Sequence, residues 1–228
     1  TTAERSRHPS SGRYIGDRFA FLPSRPMNAL LSLARRIDSL NDRFGKLAAW
    51  AVILSCFISA ANAIVRYGLD YSSNSFLEIQ WYLFATCVML GAAQVLRLNE
   101  HVRVDLVYSR LTGHGKVYVD LFGLVVFLLP VMAYLTWLSW GFFVVKLSTG
   151  MAPGDSVASM GWMAYITKLL TSGELSSNAG GLIRWPAALV LPLGFALVTL
   201  QGLAEIIKRA AWLAHKFEMD THYEGPLQ

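Results

Sequence analysis

Four apolar runs, each long enough to cross a bilayer, constrain this chain more than any other feature. They cover residues 47–65, 76–98, 117–145 and 183–207. A helix rises about 1.5 Å per residue, so roughly 20 apolar residues cross the ~30 Å hydrocarbon core. Hydrocarbon offers no partner to an open backbone N–H or C=O, so each run must close its own hydrogen bonds as a helix. The expected fold class is an all-α membrane protein with four transmembrane helices plus amphipathic interfacial helices. The expected division is a flexible cytoplasmic tail at 1–26, an amphipathic interfacial helix at 27–46, a transmembrane domain at 47–208 and a cytoplasmic C-terminal tail at 209–228.

The basic residues orient these runs. Of the 20 Lys and Arg, nine precede the first run, four lie between the second and third, and three follow the fourth. Only Arg66, Lys146, Lys168 and Arg184 fall on the other side. Positive charge is retained in the cytoplasm, so both termini and the second connection are expected there. The pI near 9.3 then follows from topology, with no basic soluble face for nucleic acid. Charged residues make up 15% of the chain, against roughly a quarter in soluble domains, and four spans joined by mostly short connections leave no room for a second soluble domain of useful size. Ala61-Asn62-Ala63 looks like a signal cleavage site, but the basic lead is long and the run span-length, so a retained helix is expected.

Between the runs, Leu30, Leu33, Ala34, Ile37, Leu40 and Phe44 recur at helical spacing opposite Arg35, Arg36, Asp38, Asp42 and Arg43. That pattern suits a helix lying in the cytoplasmic headgroups, or one packing on a partner. Asp105 is a candidate N-cap for a short helix beginning at Leu106. Pro130 and Pro192 are expected to bend the third and fourth spans. Tyr134, Trp137, Trp140 and Phe142 form an aromatic belt toward the outer interface. The connection 146–181 carries Val157, Met160, Met163, Ile166, Leu169 and Leu170, which mark one short helix, and then a Gly/Ser/Asn-rich loop.

Chemistry is narrowly bounded. The five His all lie in tails or loops, so none can ligate haem from facing helices. Cys56 and Cys87 sit inside spans without C-x-x-C spacing and read as packing residues. No metal motif or nucleophile–base grouping appears, so no catalytic residue, metal ligand or cofactor is assigned. The intramembrane polar residues are Asn62, Glu78, Gln80, Gln94 and Gln201, with Asp120 and Glu205 nearer the cytoplasmic ends. Such groups mark functional or interface sites by default. Glu78, about one turn inside the outer end of its span, is expected to reach headgroups or pair with a base such as Arg66. Small residues such as Ala48, Ala60, Gly91 and Ala93 permit close helix contact.

The stretch FLEIQWYLFATCVMLGAAQVLRLNEHVRVDLVYSRL resembles the small membrane subunit of TRAP transporters, the DctQ-type family. Glu78, Trp81, Phe84, Gly91, Ala92, Arg97, His101, Val104 and Asp105 carry the likeness, with Pro186, Pro192 and Gly194 in the fourth span. The resemblance implies a non-catalytic subunit in the bacterial inner membrane that braces a large elevator-type permease. Sodium coupling would belong to that permease, and a periplasmic binding protein would deliver an organic acid anion. Glu78, Arg97, His101, Arg103, Asp105 and Arg110 are the expected partner or phospholipid interface. Asp155, Lys168 and Glu174 in the outer connection are the expected contact for the binding protein. The alternatives are an accessory subunit of a tricarboxylate-type transporter and a membrane redox or cytochrome subunit.

Overall fold

The computed structural model describes residues 25–71, 73–98, 111 and 113–215. It is an all-α membrane protein with, among the described residues, four helices long and apolar enough to span. We label the helices α1 (Arg25–Leu69), α2 (Asn74–Leu98), α3 (Gly113–Ser148), α4 (Val157–Met160), α5 (Trp162–Thr171) and α6 (Trp185–Leu213).

Helix α6 is the axis of the bundle. It packs on α1, α2 and α3, while α1 packs on α2. One cluster joins Ala48, Leu90, Ala93, Leu197 and Val198. A second, further inward, joins Ala34, Ile37 and Ala204. Lipid tails are as apolar as Leu, so small residues that let backbones approach drive such contacts. Gly194 is one such close approach between helices, since a Cβ there would lie 2.7 Å from Met89 Cβ and 2.8 Å from Met89 O.

The boundary expected near residue 46 does not form. Residues 27–46 and the first span are one helix, Arg25–Leu69. The inner part does not lie apart from the bundle as an interfacial helix. Ala34, Ile37 and Asn41 are buried against the chain's own α6, and Gly45-Lys46-Leu47-Ala48 holds no proline to stop the helix.

Pro130 is accommodated by a π-helical turn, Gly123–Leu128, in which the Leu129 N–H reaches Leu124 O. Proline clashes with the carbonyl four residues back and lacks an N–H, and a wider turn relieves both. Trp185 opens α6 with Pro at its first turn, as its sequence suggests. The single helix expected in the outer connection is two, because Gly161 at φ +80° breaks it. Ser156 and Ser159 cap α4 reciprocally.

Candidate functional site

Polar side chains gather in two layers, one at each end of the bundle. The inner layer begins on α6, where Gln201, Glu205, Lys208 and Arg209 share one face at helical spacing. Gln201 is fully buried and lies about 24 Å along the helix from Trp185, near the inner limit of the hydrocarbon. Its Oε1 accepts from Asn41 Nδ2 at 2.6 Å. Its Nε2 donates to Asp38 Oδ1 and to Glu205 Oε1, both at 2.9 Å. Lys208 meets Glu205 at 2.5 Å and Asp38 at 3.3 Å. Arg209 pairs with Glu205 on its own helix and with Asp120 of α3 at 3.4 Å. Arg97 of α2 pairs with Asp42 and donates to the Asp38 carbonyl at 3.0 Å. One network thus ties α1, α2, α3 and α6. Asn41 Oδ1 is its one buried side-chain atom without a hydrogen-bond partner.

The outer layer is built on Glu78, which is buried at the start of α2. One carboxylate oxygen accepts from Ser176 Oγ and from Asn178 Nδ2 at 2.7 Å. The other accepts from the Leu182 N–H at 2.7 Å. Asn74 Nδ2 donates to Ala179 O at 3.2 Å, and Ser75 donates to Gly180 O. The loop folds back on itself, with Ser176 N–H on Leu182 O at 2.9 Å and Arg184 N–H on Glu174 O at 2.8 Å. Glu174 holds Lys146 at 2.5 Å and Arg184 at 2.8 Å. Lys146 beside it, then Arg184, keeps its carboxyl below the ordinary Glu range. Asp155 pairs with Lys168 at 2.6 Å and accepts from the Ala152 N–H. Those two contacts, Lys168 first, keep it below the ordinary Asp range. Trp185 Nε1 donates to Leu170 O at 2.9 Å, pinning α5 to the start of α6.

These positions revise several expectations. Glu78 neither reaches headgroups nor pairs with Arg66; the loop 176–182 supplies its partners. Arg97 turns to α1, where Asp42 and the Asp38 carbonyl take its guanidinium. Asp155, Lys168 and Glu174 are bound within the outer connection. Its exposed residues include the large apolar side chains Val157, Trp162, Met163 and Ile166. His101, Arg103, Asp105 and Arg110 lie outside the described residues, as do the cap and helix expected there. Sequence reasoning missed Asn41 and did not single out Lys208 and Arg209, the cytoplasmic-end bases that pair with Glu205 and Asp120. The spacing of Gln201, Glu205, Lys208 and Arg209 on one α6 face was the available signal.

Chemically, the two layers are closed. Nearly every carboxylate in them meets a cation or a hydrogen-bond donor of the same chain, an arrangement that fixes geometry. Among the described residues, no group of three or more His, Cys, Asp or Glu is placed to hold a metal ion.

Residues 55–166 match the family described as tripartite ATP-independent periplasmic transporters, DctQ component. The match runs from the outer half of α1 into α5 and includes Glu78 and all of the second connection. By this match the chain is similar to the DctQ-type small component of TRAP transporters, a transporter-subunit family, and its four apolar helices make it a multi-pass membrane protein. No curated protein and no solved structure matches it.

Proposed function

We propose that this chain is the non-catalytic small membrane subunit of a sodium-coupled, binding-protein-dependent transporter for organic acid anions. It braces a large elevator-type permease subunit in the bacterial inner membrane, with both its own termini cytoplasmic. The observation that carries this reading is the pairing of both polar layers inside one chain. Inner-layer contacts bind four helices to one another, and outer-layer contacts bind the loop to α2, α3 and α6. A frame tied at both ends suits the stationary part of a moving carrier. Substrate and sodium belong in the large subunit, because carriers bind them at a polar midplane site formed by broken helices.

The outer connection then serves as a platform of fixed shape for the periplasmic binding protein. Its Trp162 and Met163 are of the kind enriched at protein interfaces. Phospholipid covers the outward faces of the spans, including Phe57, Trp81 and Trp137.

Reconstitution tests the reading. Liposomes holding this chain with its large permease subunit, given binding protein and a panel of organic acids, should take up one of them in response to an inward sodium gradient. Liposomes holding this chain alone should take up none. Sodium-driven uptake by the single chain would refute the division of labour.

A further inference from the structure

One surface feature is explained neither by the two polar layers nor by lipid. Leu33, Leu40, Leu47 and Leu54 of α1 are all exposed, at 49%, 38%, 50% and 48%. They recur every seven residues, which on an α-helix drifts only about 20° per step, so they form one continuous stripe. The stripe is about 32 Å long. It runs beside the face that packs on α2 and α6, where Ala34, Ile37 and Ala48 are buried.

Lipid can cover only part of it. Leu47 and Leu54 belong to the first apolar run, but Leu33 lies about 21 Å further inward along the same unbroken helix. The headgroup layer beyond the hydrocarbon is only about 5–8 Å deep. Keeping Leu33 within it would need α1 to tilt by about 70° from the bilayer normal, against an ordinary range of 0–40°. The outer half of α1 is a span paired with α2, and its inner half is held on α6 through Asn41 and Asp38. An independent swing of the inner half would break those contacts.

Charge marks the edge of the stripe. Arg36 and Arg43 are exposed and each follows a stripe leucine by three residues, the flanking position that selects the partner where two helices pack side by side. Neither has an ion-pair partner among the described residues. The surface therefore asks for an apolar stripe that continues from the membrane into the cytoplasm, bordered by acidic side chains.

We propose that the Leu33–Leu40–Leu47–Leu54 stripe of α1 is the seat of a long helix from the large permease subunit. That helix lies along α1 both within the inner half of the bilayer and beyond it, with acidic residues facing Arg36 and Arg43. The proposal rests on the small-subunit reading and adds which face makes the joint.

The test uses the full chain co-expressed with its large permease subunit. A photo-crosslinking amino acid is placed singly at Leu33, at Leu40 and, as a control, at exposed Ser39, about 120° around the helix from Leu33. Crosslinks to the large subunit should form from Leu33 and Leu40 and not from Ser39. Leu33→Glu with Leu40→Glu should lower the recovered large subunit at least tenfold, while Ser39→Glu leaves it unchanged. Both leucines are exposed, so the melting temperature of the isolated variant chain should match wild type. Recovery of the complex with crosslinks at Leu33 and Leu40 to lipid, or to a second copy of this chain, would overturn the stripe and leave the small-subunit reading standing. Failure of the unaltered chain to associate with the large subunit would overturn both.

Discussion

The two ends of this bundle use the same residue types for different purposes. At the inner end, charged and amide side chains reach from helix to helix, and the network touches all four spans. At the outer end, most of the contacts join side chains to one returning loop, through its backbone as much as its side chains. The inner layer therefore fixes how the spans sit against one another, whereas the outer layer fixes the shape of the surface at the opposite end of the bundle. Between them, side-chain packing alone holds the helices, through Ala48, Ala93, Leu197 and the close approach at Gly194.

Removing an inner cation should break this arrangement most severely. Arg209→Met leaves Asp120 and Glu205 each short of a partner in a part of the bundle that is almost wholly buried. Breaking a buried pair from one side costs about 3–5 kcal/mol. Glu205 keeps Lys208 and Gln201, so the lower end of that range is expected. Unfolding of the purified chain in mixed detergent micelles would measure it, and a loss confined to the outer loop would contradict the division between layers.

The middle of the bundle should respond next. Gly194→Ala forces a methyl against the Met89 backbone carbonyl and should cost about 1–3 kcal/mol through overpacking. Gly202→Ala meets the mobile end of Leu128, at 2.7 Å, and should cost well under that. Equal losses from the two in the same unfolding measurement would show that packing at this level is not what limits helix approach.

Much of this architecture was legible in the sequence. Lipid admits few alternatives to a helix, so four apolar runs sufficed for the spans, and Trp185-Pro186 marked the start of the last. The pairings were not legible. Glu78 meets residues about 100 positions away, and Asn41 meets Gln201 across 160. Neither periodicity nor motif encodes a partner at that separation. The continuity of α1 was hidden for another reason. Its inner half looks amphipathic whether its apolar face meets headgroups or a neighbouring helix, and only the packed structure distinguishes them. Asp155, Lys168 and Glu174 looked like a free charged surface because spacing does not show that Asp155 and Lys168 pair with each other, or that Lys146 at the end of α3 and Arg184 before α6 meet Glu174.

Effects at the outer layer should be smaller and local. Glu78→Gln keeps the size but turns an amide N–H toward donors that need an acceptor. Limited proteolysis within residues 176–182 should quicken roughly tenfold while the bundle's unfolding midpoint barely moves. A large global loss would mean that the outer layer also sets helix positions. Smaller still, Lys168→Asp should slow uptake at limiting binding protein by loosening α5, and adding Asp155→Lys should restore it by reversing the pair. If the swapped pair stays slow, Lys168 acts through its own charge on the binding protein.

Acid offers the gentlest probe. Asp155 and Glu174 have lowered folded pKa values, so their contribution is complete above the ordinary unfolded values of about 3.9 and 4.3. It is lost only as pH falls through the depressed folded values. Indole fluorescence should therefore show no outer-loop transition between about pH 5 and 8, and loosening should begin below about pH 4.

The proposed role requires the two layers to hold this chain as a single stationary body during transport. Spin labels at exposed Ser39 on inner α1 and exposed Thr167 on outer α5, in the assembled transporter, read it directly by pulsed electron–electron distance measurement. One distance distribution is expected, its centre moving by less than about 2 Å on addition of sodium, substrate and binding protein, no more than ordinary helix adjustments at an interface. A shift of roughly 5 Å or more, the size of a one-turn ratchet, would contradict it and make this chain part of the moving machinery.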